Sequence, residues 1–159
     1  MGALAVLATL AGVAGCSPPA KPLVALRLDG GRPTVLLATC PGFRIDTLSL
    51  YSNSGSATVA AGGPNRWLER TGPGVPDSMP LFGTPPAGWS VSNGGLTALT
   101  PGQAYGLTGY AHARPTLTIT FTAEDLAALG AAEVLLGKQP SSHEKVTEQQ
   151  FRKRSEESC

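Results

Sequence analysis

Few side chains in this sequence are of types that carry out chemistry, and their spacing limits what they could do. The two histidines, His112 and His143, fall in none of the HxH or HExxH spacings that set two imidazoles on one metal, so the sequence calls for no metal ion. Glu124 and Asp125 are adjacent. Neighbours in sequence do not converge on one substrate, and carboxylates interact favourably with the free N–H groups of a helix start, so this pair reads as helix capping rather than acid/base catalysis. No GxSxG, Walker or GxGxxG segment occurs, no cofactor is implied, and the glycine pairs at 30–31, 62–63 and 94–95 read as turns. A serine nucleophile activated by His112 and Asp46 stays open at this level, because triads assemble in space. Arg152-Lys153-Arg154 stands beside Glu156 and Glu157 with Phe151 as its only aromatic neighbour, which suits a solvated helix face and not a nucleic-acid footprint. Trp67 and Trp89 read as core or loop anchors.

The elements that must position these groups are short. Hydrophobic residues make up 42% of the 159 and charged residues 14%, enough for a single core, while 20 Gly and 14 Pro predict many turns and few long helices. A net charge of +1 leaves no global field to gather a polyanion, so any ligand must be held by a local site. Leu23 to Leu28 and Thr34 to Cys40 are β-rich runs around Asp29-Gly30-Gly31, a hairpin signature. Arg44 to Tyr51 reads as a half-buried strand, and Ala57 to Ala61 and Arg66 to Glu69 as two short ones. Thr71 to Gly88, rich in Pro and Gly, predicts irregular surface chain. Trp89 to Leu99, Tyr105 to Ala113 and Thr116 to Phe121 read as further strands, the last alternating polar and apolar. Thr122 caps a short helix through Leu129, with Asp125 in the capping-box position, and Gly130 ends it. From Ser141 the chain is polar, with Glu148/Arg152, Arg152/Glu156 and Lys153/Glu157 at helical spacing, and reads as a partly helical surface tail.

The segment from Gly2 to Gly15 carries no charge and is shorter than the roughly 20 residues a helix needs to cross a bilayer. That length suits the apolar region of a secretory signal, although no Lys or Arg precedes it. It closes on Val13-Ala14-Gly15-Cys16, which resembles the lipobox of bacterial lipoproteins. The resemblance implies that residues 1–15 are a lipoprotein signal peptide removed before Cys16, that the Cys16 thiol is diacylated, and that the chain is anchored at the extracytoplasmic face of the cell membrane. Two acyl chains hold a protein stably where one holds it marginally. Residues 16–22 are then the lipidated cysteine and a stiff Pro-rich stalk. With Cys16 acylated, Cys40 and Cys159 remain as a pair, and outside the cytoplasm a disulfide is the expected outcome. A catalytic or metal-binding thiol is the alternative, but no CxxC or CxxH spacing accompanies either cysteine.

Leu99-Thr100-Pro101-Gly102-Gln103-Ala104-Tyr105 is similar to the L-x-P-G-x-x-Y segment of fibronectin type III and related immunoglobulin-like domains. There the tyrosine hydroxyl bonds back to upstream backbone in a tyrosine corner. By this resemblance Leu99, Pro101 and Tyr105 form the corner, Tyr105 to Ala113 is the penultimate strand and Thr116 to Phe121 the last. The fold expected is all-β, an immunoglobulin/fibronectin type III-like β-sandwich over residues 23–137 with a short helical segment, followed by a polar C-terminal tail over 138–159. The function expected is a membrane-anchored, non-catalytic binding or interaction module with a protein or envelope partner, and the 71–88 stretch as contact loop. A secreted envelope hydrolase and a structural envelope protein without a ligand are the alternatives.

Overall fold

A computed structural model describes residues 19–53 and 65–159. The expected signal peptide, Cys16 and the Ala57 to Ala61 strand lie outside the described residues. Two antiparallel sheets pack as a β-sandwich, so the fold is all-β as expected.

The chain begins with a hairpin, β1 (Val24–Asp29) and β2 (Arg32–Leu37). Its turn residues Gly30 and Gly31 have φ of 56° and 78°, the two positive values that a type I′ turn needs and that glycine adopts without a Cβ clash. β3 (Thr47–Ser52) and β4 (Asn65–Arg70) form a second antiparallel pair. After β5 (Ser78–Pro80) and β6 (Trp89–Gly94) comes β7 (Tyr105–Ala111), and a tight turn with positive φ at His112 and Ala113 leads into β8 (Arg114–Pro115). β9 (Ile119–Phe121) continues β8 along the same edge of β7. Then follow helix α1 (Ala123–Ala127), β10 (Glu133–Lys138), β11 (Ser142–Thr147) and helix α2 (Glu148–Glu157).

The first sheet runs β11-β10-β1-β2-β5 and the second β6-β4-β3-β7-β8, with β9 also on β7. β1, β2 and β5 thus stand as the A, B and E strands of an immunoglobulin-like sandwich, and β4, β3, β7 and β8/β9 as C′, C, F and G. Leu26 pairs with Leu135 and Val35, and Ala25 with Leu136 and Leu36, so the pleat sends the two sets to opposite faces. All six are at most 1% exposed, which means that both faces of the first sheet are covered. The second sheet covers one. α2 covers the other, with Phe151 fully buried.

Three expectations change. Thr71 to Gly88 is not wholly irregular surface chain, because β5 pairs with β2 and Met79 and Leu81 are buried. Thr116 to Phe121 is not the last strand, and only Ile119 to Phe121 is regular, since the register on β7 slips by one residue between Pro115 and Ile119. The 138–159 stretch is not a surface tail. Its strand β11 extends the first sheet and its helix α2 closes the core.

Candidate functional site

The two ends of the sandwich differ in character. At one end the N-terminal segment is clamped to the C-terminus: the Ser155 hydroxyl donates to the Pro22 carbonyl at 2.7 Å, and Lys21 Nζ donates to the carbonyl of Ser158. Leu117 N–H donates to Lys21 O at 2.9 Å, and the Arg152 guanidinium reaches Leu37 O at 2.7 Å. Here the expected disulfide is present, joining Cys40 to Cys159 across 119 positions with Cα atoms 5.3 Å apart.

At the opposite end, beyond the six residues of β1, the corner segment meets α1. Thr100 to Gln103 forms a turn, closed by Gln103 N–H on Thr100 O, in which Pro101 is exposed and Gly102 takes a φ of 74°. The buried Tyr105 hydroxyl accepts the Thr100 N–H at 2.8 Å, and Leu99 packs against the core edge. Both carboxylates of the adjacent pair are engaged in structure. Asp125 accepts from Thr122 N–H at 2.8 Å within the capping box, and Glu124 accepts from Gly102 N–H at 3.0 Å. Its own backbone N–H first, and then that of Gly102, hold the Glu124 carboxyl below its usual range. Between the hairpin turn, Phe82, the 97–99 loop and α1 lies a groove of about 350 Å³ lined by Leu28, Pro33, Leu99 and Leu126.

The histidines occupy unlike places. His112 does stand beside Asp46, with Nδ1 at 3.8 Å from Oδ2, but its side chain is 81% exposed. Asp46 is engaged by the backbone N–H of His112 at 2.8 Å and by the Thr47 hydroxyl, so the pair stabilises a turn in open solvent. His143 was placed in a polar tail by the sequence, yet β11 brings it to a cleft of about 280 Å³ shared with Thr122, Asp125, Ser141 and Ser142. That gathering was not legible in one dimension, because it depends on β11 lying beside β9 and α1.

The cleft holds the residue types of a serine triad without the geometry. His143 Nδ1 lies 2.6 Å from Thr120 O, and a carbonyl can only accept, so Nδ1 carries the proton. Nε2 then faces Asp125 Oδ1 at 3.8 Å, which puts the carboxylate on the nitrogen that a nucleophile would need. The Ser142 hydroxyl donates instead to Lys138 O at 3.2 Å. Among the described residues no group of three or more His, Cys, Asp or Glu is placed to hold a metal ion. Of the two tryptophans, Trp89 is 5% exposed in the core and Trp67 is 40% exposed on the outer face of the second sheet. No family model, curated protein or solved structure matches this chain.

Proposed function

We propose that the chain is a lipid-anchored, extracytoplasmic, non-catalytic binding module, acylated at Cys16 and held at the outer face of the cell membrane, where it meets a protein or envelope partner. The observation that carries this reading is the polarity of the sandwich. The segment that follows Cys16 docks at Lys21 and Pro22 against α2 and the disulfide end, and β1 then runs six residues, ~20 Å, toward the loops at the other end. An anchor at Cys16 therefore leaves the far loops directed away from the bilayer. The Cys40–Cys159 disulfide fits an oxidising compartment. The non-catalytic part of the reading rests on the two His–Asp pairs, one with its imidazole exposed and the other, among the described residues, without a serine on its imidazole.

The test is the intact mass of protein extracted from membranes, beside a Cys16→Ser variant. The expected mass is that of residues 16–159 plus a diacylglyceryl group, with the variant unlipidated and released from the membrane fraction. A wild-type mass that retains Met1 overturns the anchor.

A further inference from the structure

The outer face of the second sheet carries an aromatic and hydroxyl-lined surface that no part of the fold described above uses. Trp67 pairs with Ser49, and Ser49 with Thr108, which places the three in one row across β4, β3 and β7. Tyr51 and Gly106 pair in the next row on one side, and Thr47 and Tyr110 in the next row on the other. Alternation puts these residues on one face, while Leu48, Leu50, Leu68 and Leu107, all at most 1% exposed, point to the core.

Tyr51 lies across the sheet rather than standing off it. A Cβ built on Gly106 would be 2.3 Å from Tyr51 Cζ and 2.5 Å from its hydroxyl oxygen, so only glycine leaves room for the ring at that position. Tyr51 and Tyr110 are four residues apart along the register, ~13 Å, and Trp67 stands to one side between them. Ser49 and Thr108 are buried, at 6% and 3% exposed, with the Thr108 and Thr118 hydroxyl oxygens paired 2.8 Å apart, so the hydroxyls left to a ligand on this face are those of the half-buried Tyr51, Tyr110 and Thr47. Burial, and then the neighbouring Tyr51, push the Tyr110 phenol above its usual range, so it remains a neutral hydroxyl.

An uncharged face that gathers three amphipathic rings matches one ligand chemistry. A pyranose has a C–H face that packs on an aromatic ring and a hydroxyl edge that exchanges hydrogen bonds with Ser, Thr and Tyr. The three rows contain no Lys or Arg, and their one carboxylate, Glu69, accepts from Ser92 Oγ at 2.8 Å at the margin. Nothing on the face would attract a polyanion. We propose that it binds a neutral polysaccharide, laid along the strands from Tyr51 toward Tyr110 and stacked on Trp67. The proposal rests on the binding-module reading and gives that module a ligand class.

The experiment titrates the full chain, disulfide intact, with cellohexaose, mannohexaose, laminarihexaose and isomaltohexaose, read by calorimetry and tryptophan emission. At least one hexasaccharide is expected to bind, with equal affinity at low and high salt because the contact is uncharged. Trp67→Ala weakens that binding roughly tenfold or more, equivalent to about 1.4 kcal/mol. Trp67→Phe keeps a ring and most of the affinity, and near-UV circular dichroism from the buried Trp89 checks that both variants fold. Three results each overturn the proposal: no binding by any of the four sugars, binding unaltered in Trp67→Ala, or binding that weakens steeply with salt. Self-association of the wild type that Trp67→Ala abolishes also overturns it, by assigning the face to a second copy of the chain. Failure here leaves the mass measurement on Cys16→Ser untouched, so the two readings fail separately.

Discussion

The Ser155 hydroxyl lies 2.7 Å from the Pro22 carbonyl oxygen, a contact between residues 133 positions apart that ties the segment before β1 to the last helix. Ser155 is 1% exposed and its hydroxyl also lies 2.9 Å from Phe151 O, so the one proton is shared between a buried carbonyl and the half-buried one of Pro22. Ser155→Ala removes this donor, the only side-chain donor on Pro22 O among the described residues, and creates no new bulk. The expected cost is ~1–3 kcal/mol, seen as a lower urea midpoint at unchanged slope. An unchanged midpoint would mean that the segment at Pro22 is not clamped in solution.

The disulfide closes a loop of 119 positions, and in the chain-entropy model a loop of that length contributes about 4–5 kcal/mol through the unfolded state. Reduction, or the double change Cys40→Ala with Cys159→Ala, should lower unfolding free energy by up to that amount. Peptide mapping without reductant should recover Cys40 joined to Cys159. Wild-type protein from cells with both thiols free would contradict the pairing.

What could be read from the sequence was local, and what escaped it was not. Asp29-Gly30-Gly31 specifies its hairpin by turn chemistry alone, and Thr122 with Asp125 specifies its capping box at three-residue spacing. β10 escaped because Val134-Leu135-Leu136 is buried on both faces, and a continuous apolar run of that length has no period to distinguish strand from helix. β11 escaped for the opposite reason. As an edge strand it keeps Lys145 exposed, leaves Glu144 half-buried against Arg154 and buries only Val146, a polar pattern that blunts edge-to-edge pairing but hides the strand. Arg66 is misleading in another way: it is only 6% exposed, with its guanidinium on Gly83 O at 2.8 Å and 5.9 Å from the Phe82 ring, where its residue type predicts solvent. The His143–Asp125 encounter inherits the difficulty of β11, because only the β10–β11 hairpin carries His143 to the end of β9.

Tyr105 offers a cleaner test of the corner. Its ring is 1% exposed beside Phe121, with centroids 6.0 Å apart, and its hydroxyl accepts the Thr100 N–H. Tyr105→Phe keeps the ring and strands that N–H, so the expected loss is ~1–3 kcal/mol in equilibrium unfolding. Amide exchange at Thr100 should accelerate in the variant. Equal stability and equal protection would show that the hydroxyl is not what holds the turn.

Glu124 links this corner to α1, and its titration gives the link a pH dependence with a definite sign. The carboxyl is held below its ordinary value of 4.5, first by its own backbone N–H and then by that of Gly102. A group whose folded pKa is depressed binds fewer protons in the native state than in the unfolded one, so its contribution is complete above the unfolded value. The contribution is lost as pH falls from near 4.5 through the lower folded value. Glu124→Gln removes the titration, and the acid limb of stability against pH should become shallower in that window while the neutral limb stays parallel to wild type. Urea midpoints taken at a series of pH values decide the matter. Wild-type and Gln curves that remain parallel into the acid range would show that the Gly102–Glu124 hydrogen bond does not form in solution.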